Sequence, residues 1–317
     1  MGDPSAFGGT LEGLRAYHLG PLRLHAPLPL PLLAADPAAD PAADALVRVA
    51  ARSSLPEEGE RFRTSALSID ADGRAWIDMA GRARIGIGGG REIGVARAPG
   101  LGEADVAALL LAGPLAVLLC QRGLVPFRFS VVEVGGVAIV LAGVAGVGKS
   151  TLALALAARG ARLVSDDLSV LSFFDGAAQP VAWPGTRRIA VWGDIPAAVA
   201  SGRPARPIRD GLARHFVDVP GSAAAPLPVR AVVLLRLGAG AIASARMQPA
   251  EAVARILDRV TERAPIRRLG AEGPLLDTVG RLCRAVPVHH LQRTADLSAL
   301  PALADRVLAL AGGADAP

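Results

Sequence analysis

One stretch, LAGVAGVGKSTLALALAARGARLVSDD (residues 141–167), constrains the fold more than any other. An apolar run, Val137–Ala142, enters a glycine-rich loop, and an alanine- and leucine-rich run leaves it. Residues Gly143 to Ser150 spell G-x-x-x-x-G-K-S. Glycines let the main chain curl until its N–H groups converge, which is how a peptide cradles phosphate oxygens. A helix beginning at the end of the loop adds partial positive charge there. A strand–loop–helix order of this kind belongs to an α/β nucleotide-binding domain.

The expected nucleotide-binding residues are therefore Gly143, Val144, Ala145, Gly146, Val147, Gly148, Lys149, Ser150 and Thr151. The expected ligand is ATP with Mg²⁺, the hydroxyl of Ser150 being offered to the metal. Lys149 is the only lysine among 34 basic residues. A compact ammonium on a flexible stem reaches β- and γ-phosphates where the planar guanidinium fits poorly. The loop is the one place where this chemistry forbids arginine.

Asp166 and Asp167 end the next apolar run, ARLVSDD. In a parallel sheet, strands deliver their C-terminal ends to one edge, where ligands bind. One carboxylate there could hold Mg²⁺ and the other could take a proton from an incoming hydroxyl. The plainer alternative is a turn capped by Asp167, with Asp166 solvated.

The rest of the chain has a coarser grain. Residues 1 to about 60 are rich in proline and alanine, and LPLPLL followed by AADPAADPAAD (residues 28–44) reads as an extended entry into a surface loop, with a short DPAA repeat. From Phe62 the pattern alternates, with a hairpin signal at Asp72-Gly73. GIGGGREIG (residues 86–94) nearly imitates a dinucleotide fingerprint, but Arg91 stands where the third glycine belongs, so a tight turn is expected. A helical stretch, Glu103–Arg122, closes this part. Two strands joined at Gly135-Gly136 follow, then the glycine loop, a strand at Val229–Leu237, and helices near Ala250–Glu262 and Leu275–Arg284. A short strand, VPVHHL, and a last helix near Ser298–Leu310 end the pattern. The expected domains are 1–124, β-rich with closing helices, and 125–317, the phosphate-loop domain.

The residues around the loop resemble the C-terminal catalytic domain of HPr kinase/phosphorylase. They are closer still to HPr-kinase-related proteins, some of which accompany lasso-peptide biosynthesis. LLCQRGLVPFRFSVVEVGG before the loop and WPGTRRIAVWGD after the aspartates extend the resemblance. It implies a phosphate-loop kinase domain behind a smaller β-rich domain, and ATP-dependent phosphorylation of a serine in a peptide or small protein. The family often forms hexamers, so a homo-oligomer is open, but the chain does not fix its own oligomeric state. By motif match, Lys149 and Ser150 hold the triphosphate and Mg²⁺, Asp166 is the base, and Asp167 supports the metal or the base. Arg128, Arg187 and Arg188 are candidate phosphate or acceptor contacts. Arg128 stands where relatives carry histidine, Thr151 stands where the bifunctional enzymes carry glutamate, and the later E-x-R-G-L-G signature is missing. These departures count against phosphorylase activity and against HPr as the acceptor. A nucleotide-binding regulator that has lost transfer and a small-molecule kinase are the rival readings.

Composition excludes little more. A net charge of +5 without runs of like charge gives no support to nucleic-acid binding. The two cysteines lack metal-ligand spacing and read as buried thiols of a cytoplasmic protein. The longest apolar run, Val106–Cys120, contains a proline and is shorter than the roughly 20 residues a bilayer span needs.

Overall fold

The computed structural model describes residues 13–35, 44–51, 60–64, 66–79, 81–192, 203, 205–208, 213–219, 223–239, 242–258 and 263–312. The chain divides into two compact units. One comprises Met1–Pro126 and Glu262–Pro274, the other Phe127–Thr261 and Leu275–Pro317.

In the first unit nine strands form one sheet. They are β1 (Arg15–Leu19), β2 (Leu22–Ala26), β3 (Leu33–Ala34), β4 (Ala45–Ala51), β5 (Glu60–Arg63), β6 (Leu67–Asp70), β7 (Ala75–Asp78), β8 (Ala83–Gly88) and β9 (Glu92–Arg97). Their order is β3-β1-β2-β4-β9-β8-β7-β6-β5. Neighbours are antiparallel except at β2–β4 and β4–β9. Strands begin earlier than Phe62, where the alternating pattern becomes plain. RAYHL and LRLHA alternate, pair as a hairpin, and bury Leu19 and Leu24. The Tyr17 hydroxyl donates to Leu28 O and accepts from Leu30 N–H, which pins the proline-rich LPLPL segment to β1. Most of the DPAA repeat lies outside the described residues.

At the Asp72-Gly73 hairpin, Asp70 Oδ1 accepts from the N–H groups of Asp72 and Arg74, at 2.9 Å each. GIGGGREIG forms the β8–β9 hairpin. A side chain at Gly90 would run into Arg122, 2.7 Å from its Cδ, so close packing explains that glycine. The helical stretch is two helices, α1 (Glu103–Leu111) and α2 (Pro114–Gln121), bent by 48° at the proline break. Leu110, Leu115, Leu118 and Leu119 are fully buried. Among the described residues no single helix is long and apolar enough to cross a membrane. Gln121 ends α2 and stitches two hairpins. Its Nε2 donates to Gly73 O and Ile87 O, and its Oε1 accepts from Gly90 N–H.

The second unit contains β10 (Pro126–Phe127), β11 (Ser130–Val134), β12 (Val137–Ala142), β13 (Arg162–Asp166), β14 (Ser169–Phe173), β15 (Pro180–Ala182), β16 (Arg188–Trp192), β17 (Ala205–Pro207), β18 (Arg214–Asp218), β19 (Leu227–Leu237), β20 (Ala243–Arg246) and β21 (Val288–Arg293). The main sheet runs β10-β14-β15-β19-β12-β11-β13, with β21 paired to β19 and to β20. A small sheet, β16-β18-β17, stands apart. The sheet is mixed, not parallel throughout. β11 lies between β12 and β13 and is antiparallel to both. β12 and β13 therefore share a direction without touching, and their C-terminal ends reach one edge. β19 and β21 run parallel to β12 and end there too.

The helix after the loop is α3 (Lys149–Ala157). It is apolar on every side, and residues Leu152 to Ala157 are all buried. One core explains this. Leu152 and Leu156 pack with Ile139 and Leu141 of β12, Val233 of β19, Ile189 of β16, and Leu303 and Val307 of the final helix, Leu300–Ala311. Gly160, at φ 93°, ends the helix, and Ala161 N–H donates to Leu156 O.

Candidate functional site

β12 stops at Ala142 and the chain turns immediately into the glycine loop. Gly143 sits at φ 143°, and a Cβ there would come within 2.8 Å of Leu235 O on β19. Gly148 is the N-cap of α3, in a left-handed conformation with no side-chain cap. The first N–H groups of a helix have no partner inside it. At α3 nothing from a capping side chain replaces that partner, so the loop ends in open donors at the positive end of a helix. Lys149 Nζ folds back and donates to Gly143 O and Val144 O, at 3.0 Å each. Burial lowers the Lys149 pKa. The carboxylates of Asp166 and Asp167 work against that, and the charges of Arg128 and Arg214 add to it.

Ser150 lies in the first turn of α3 and its hydroxyl donates to Asp166 Oδ1 over 3.0 Å. The same oxygen accepts from Ser130 Oγ at 2.5 Å, and Oδ2 accepts from Ala190 N–H at 3.1 Å. Ser130 is the register partner of Asp166 across β11–β13. The backbone of Asp166 is clasped by Thr186, whose hydroxyl donates to Asp166 O and accepts from Asp166 N–H. Gly185 allows this approach, because a Cβ there would meet Ser165 Cβ at 2.9 Å. Asp166 is 2% exposed. Burial pushes its pKa up to about 6, against the hydrogen bonds from Ser130, Ala190 and Ser150.

Asp167 is different. Its backbone is left-handed, with φ 64°, its N–H donates to Phe129 O, and its side chain is 46% exposed. Arg128 Nη1 lies 4.0 Å from its Oδ1. The resemblance made Asp166 the expected base and Asp167 a support for the metal or the base. The structure encloses the first and exposes the second. Every hydrogen-bonding approach to Asp166 comes from the protein itself, and Asp167 is the carboxylate open to a reactant.

Thr151 follows Ser150 in α3. Arg188 is engaged elsewhere, as its Nε donates to Asp218 Oδ1 at 2.8 Å across β16–β18. Arg187 is exposed beside it. Neither is brought to the loop as Arg128 is. Three contributors escaped the sequence reading: Ser130, Thr186 and Arg214. Ser130 had a usable signal, since it sits at a strand end on the edge where the loop emerges. Thr186 and Arg214 depend on how the small sheet folds back, which no local pattern encodes.

No known family model matches the chain, and no curated protein does. Among solved structures it is similar to the Hpr(Ser) kinase/phosphatase from Coxiella burnetii, at 15% identity over 58% of this chain and 93% of that chain, with a TM-score of 0.31. A likeness at that level carries no argument about activity, which has to rest on the residues themselves.

Proposed function

We propose that this protein is a Mg²⁺·ATP-dependent kinase that phosphorylates a serine, or secondarily a threonine, of a peptide or small protein. The observation that carries the reading is the Ser150–Asp166 hydrogen bond at the start of α3, with exposed Asp167 the next residue. Mg²⁺ in nucleotide sites takes few protein donors and completes its shell with phosphate oxygens and water. A hydroxyl backed by a buried carboxylate fits that demand. A larger cage is not needed, and among the described residues no group of three or more His, Cys, Asp or Glu forms one. Ser150, oriented by Asp166, would hold the ion, which supplies charge neutralisation on the β- and γ-phosphates.

The remaining work falls to this chain's own groups. The loop amides and the α3 N-terminus bind phosphate oxygens, and Lys149 turns from the loop carbonyls to the γ-phosphoryl group. Asp167 accepts the proton of the acceptor hydroxyl. The acceptor oxygen bonds to phosphorus while the bond from phosphorus to the ADP oxygen breaks. Arg128 and Arg214, close enough to depress Lys149, add positive charge where the equatorial oxygens gather it. Positioning and preorganised charge supply most of the acceleration in such transfers.

A second reading has one observation in its favour. The Arg128 guanidinium engages the carboxylate that transfer needs free, as it would in a nucleotide-binding regulator without transfer. Incubation with γ-labelled ATP and a panel of serine- and threonine-containing peptides separates the two. Label in an acceptor with wild type, and none with Asp167→Asn, supports the kinase. Tight MgATP binding with no labelled product across the panel supports the regulator.

A further inference from the structure

Arg293 ends β21, which runs parallel to β19 and finishes on the edge where the glycine loop emerges. Its residue is only 8% exposed. The guanidinium lies against the N-cap of α3. A methyl group at Gly148 would overlap Nη1 and stand 3.1 Å from Cζ. Its Nε donates to Thr294 O at 2.9 Å. Beside it, the buried Oγ1 of Thr294 has no hydrogen-bond partner.

The charge of Arg293 is unanswered among the described residues. Among the described residues no carboxylate pairs with it, and burial lowers its pKa with no opposing contribution. Three other part-buried arginines have carboxylates: Arg48 with Glu92, Arg82 with Asp105, Arg122 with Asp44. An unpaired buried cation is costly, and the positive end of a helix makes it more so. Two positive features packed together make sense when a polyanion joins them.

We propose that Arg293 is a second phosphate-binding cation of this site, closing on the oxyanions held at the first turn of α3 from the β21 side. The ligand class is the polyphosphate of a nucleoside triphosphate, so the inference rests on the nucleotide reading above. Nη1, beside Gly148, reaches an oxygen held by the Gly148–Ser150 amides, while Nε keeps its bond to Thr294 O. The residue acts on phosphate and is indifferent to base and sugar.

The test uses the full chain, its Arg293→Gln and Arg293→Lys variants, and three probes: MgATP, inorganic tripolyphosphate and adenosine. Arg293→Gln is expected to weaken MgATP and tripolyphosphate by the same factor, roughly tenfold or more. Arg293→Lys should weaken them less, and adenosine affinity should not change. The melting temperature of the ligand-free variants should not fall, because an uncompensated charge has been removed or kept, not a stabilising pair. Unchanged MgATP affinity in Arg293→Gln, with wild type binding normally, overturns this inference and leaves the nucleotide reading intact. Loss for MgATP but not tripolyphosphate also overturns it, as does loss that tracks a lowered melting temperature in both variants. Wild type that binds tripolyphosphate through Arg293 but not MgATP upholds the anion site and removes the nucleotide reading. Wild type that binds neither removes both.

Discussion

Ser150 Oγ and Asp166 Oδ1 are 3.0 Å apart, and that hydrogen bond ties the first turn of α3 to the end of β13 across the intervening β11. The serine is thereby aimed by a group that solvent does not reach. Ser150→Ala should leave the fold intact and remove the Mg²⁺-dependent part of ATP binding, by roughly tenfold or more. Titrations with ATP in magnesium and in a chelator check this. An equal magnesium effect in both proteins counts against Ser150 as a ligand.

The two aspartates should separate by kinetics. Asp167→Asn is expected to keep MgATP affinity within a few-fold and to lose transfer by roughly 10²–10⁴-fold. Asp166→Asn should weaken MgATP binding itself, because the Ser150 hydroxyl loses its charged acceptor. Reversed behaviour, with Asp166→Asn binding normally and Asp167→Asn failing to bind, would restore the roles expected from sequence.

Asp166 makes stability pH-dependent in a known direction. Its pKa rises from an ordinary 3.8 to about 6 on folding. Between those values the folded protein keeps a proton that the unfolded chain has released. The contribution is complete below the lower value, declines as pH rises through about 6, and is flat beyond. The decline is on the order of 3 kcal/mol. Unfolding of metal- and nucleotide-free protein between pH 4.5 and 7.5 measures it, with Asp166→Asn as reference. A stability of wild type minus that of Asp166→Asn that does not fall as pH rises contradicts the assignment.

Gly146 and Gly148 are both left-handed, but only Gly148 is crowded. Gly146→Ala should cost about 1–2 kcal/mol of backbone strain and little else. Gly148→Ala carries the same strain and also displaces the Arg293 guanidinium. It should destabilise further and weaken MgATP binding well beyond Gly146→Ala. Paired melting and titration experiments decide this, and equal losses would mean Arg293 yields freely.

Gln121→Ala tests the first unit alone. It strips partners from Gly90 N–H, Gly73 O and Ile87 O. A loss of about 1–3 kcal/mol in stability is expected, with MgATP affinity unchanged. Altered affinity at constant stability would give this residue a functional role that its contacts do not suggest.

The loop could be read from sequence because its chemistry is local. Glycines, one lysine and an apolar strand–helix pair all fall within one short stretch, and α3 begins at Lys149 as the pattern requires. Hairpins with strong turns, at Gly73 and at Gly135-Gly136, were equally legible. β14, β15, β17 and β20 were not, being short and interrupted by polar residues or proline. The β1–β2 hairpin was hidden by the prolines that follow it. The contrast between enclosed Asp166 and exposed Asp167 was hidden for another reason. It depends on Ser130, Thr186 and Ala190 arriving from other strands, and spacing along the chain says nothing about that enclosure. Arg293 was lost among many arginines, because what distinguishes it is the missing counter-charge.

The backbone at Asp167, with φ 64°, admits few residues without strain: glycine, asparagine and aspartate. Of these only aspartate is an acid. The outline of the turn would survive a change to either of the others, and the base proposed for transfer would not. A silent descendant of this protein could therefore differ from a working one by a single letter, in a position where nothing about its shape would betray the loss.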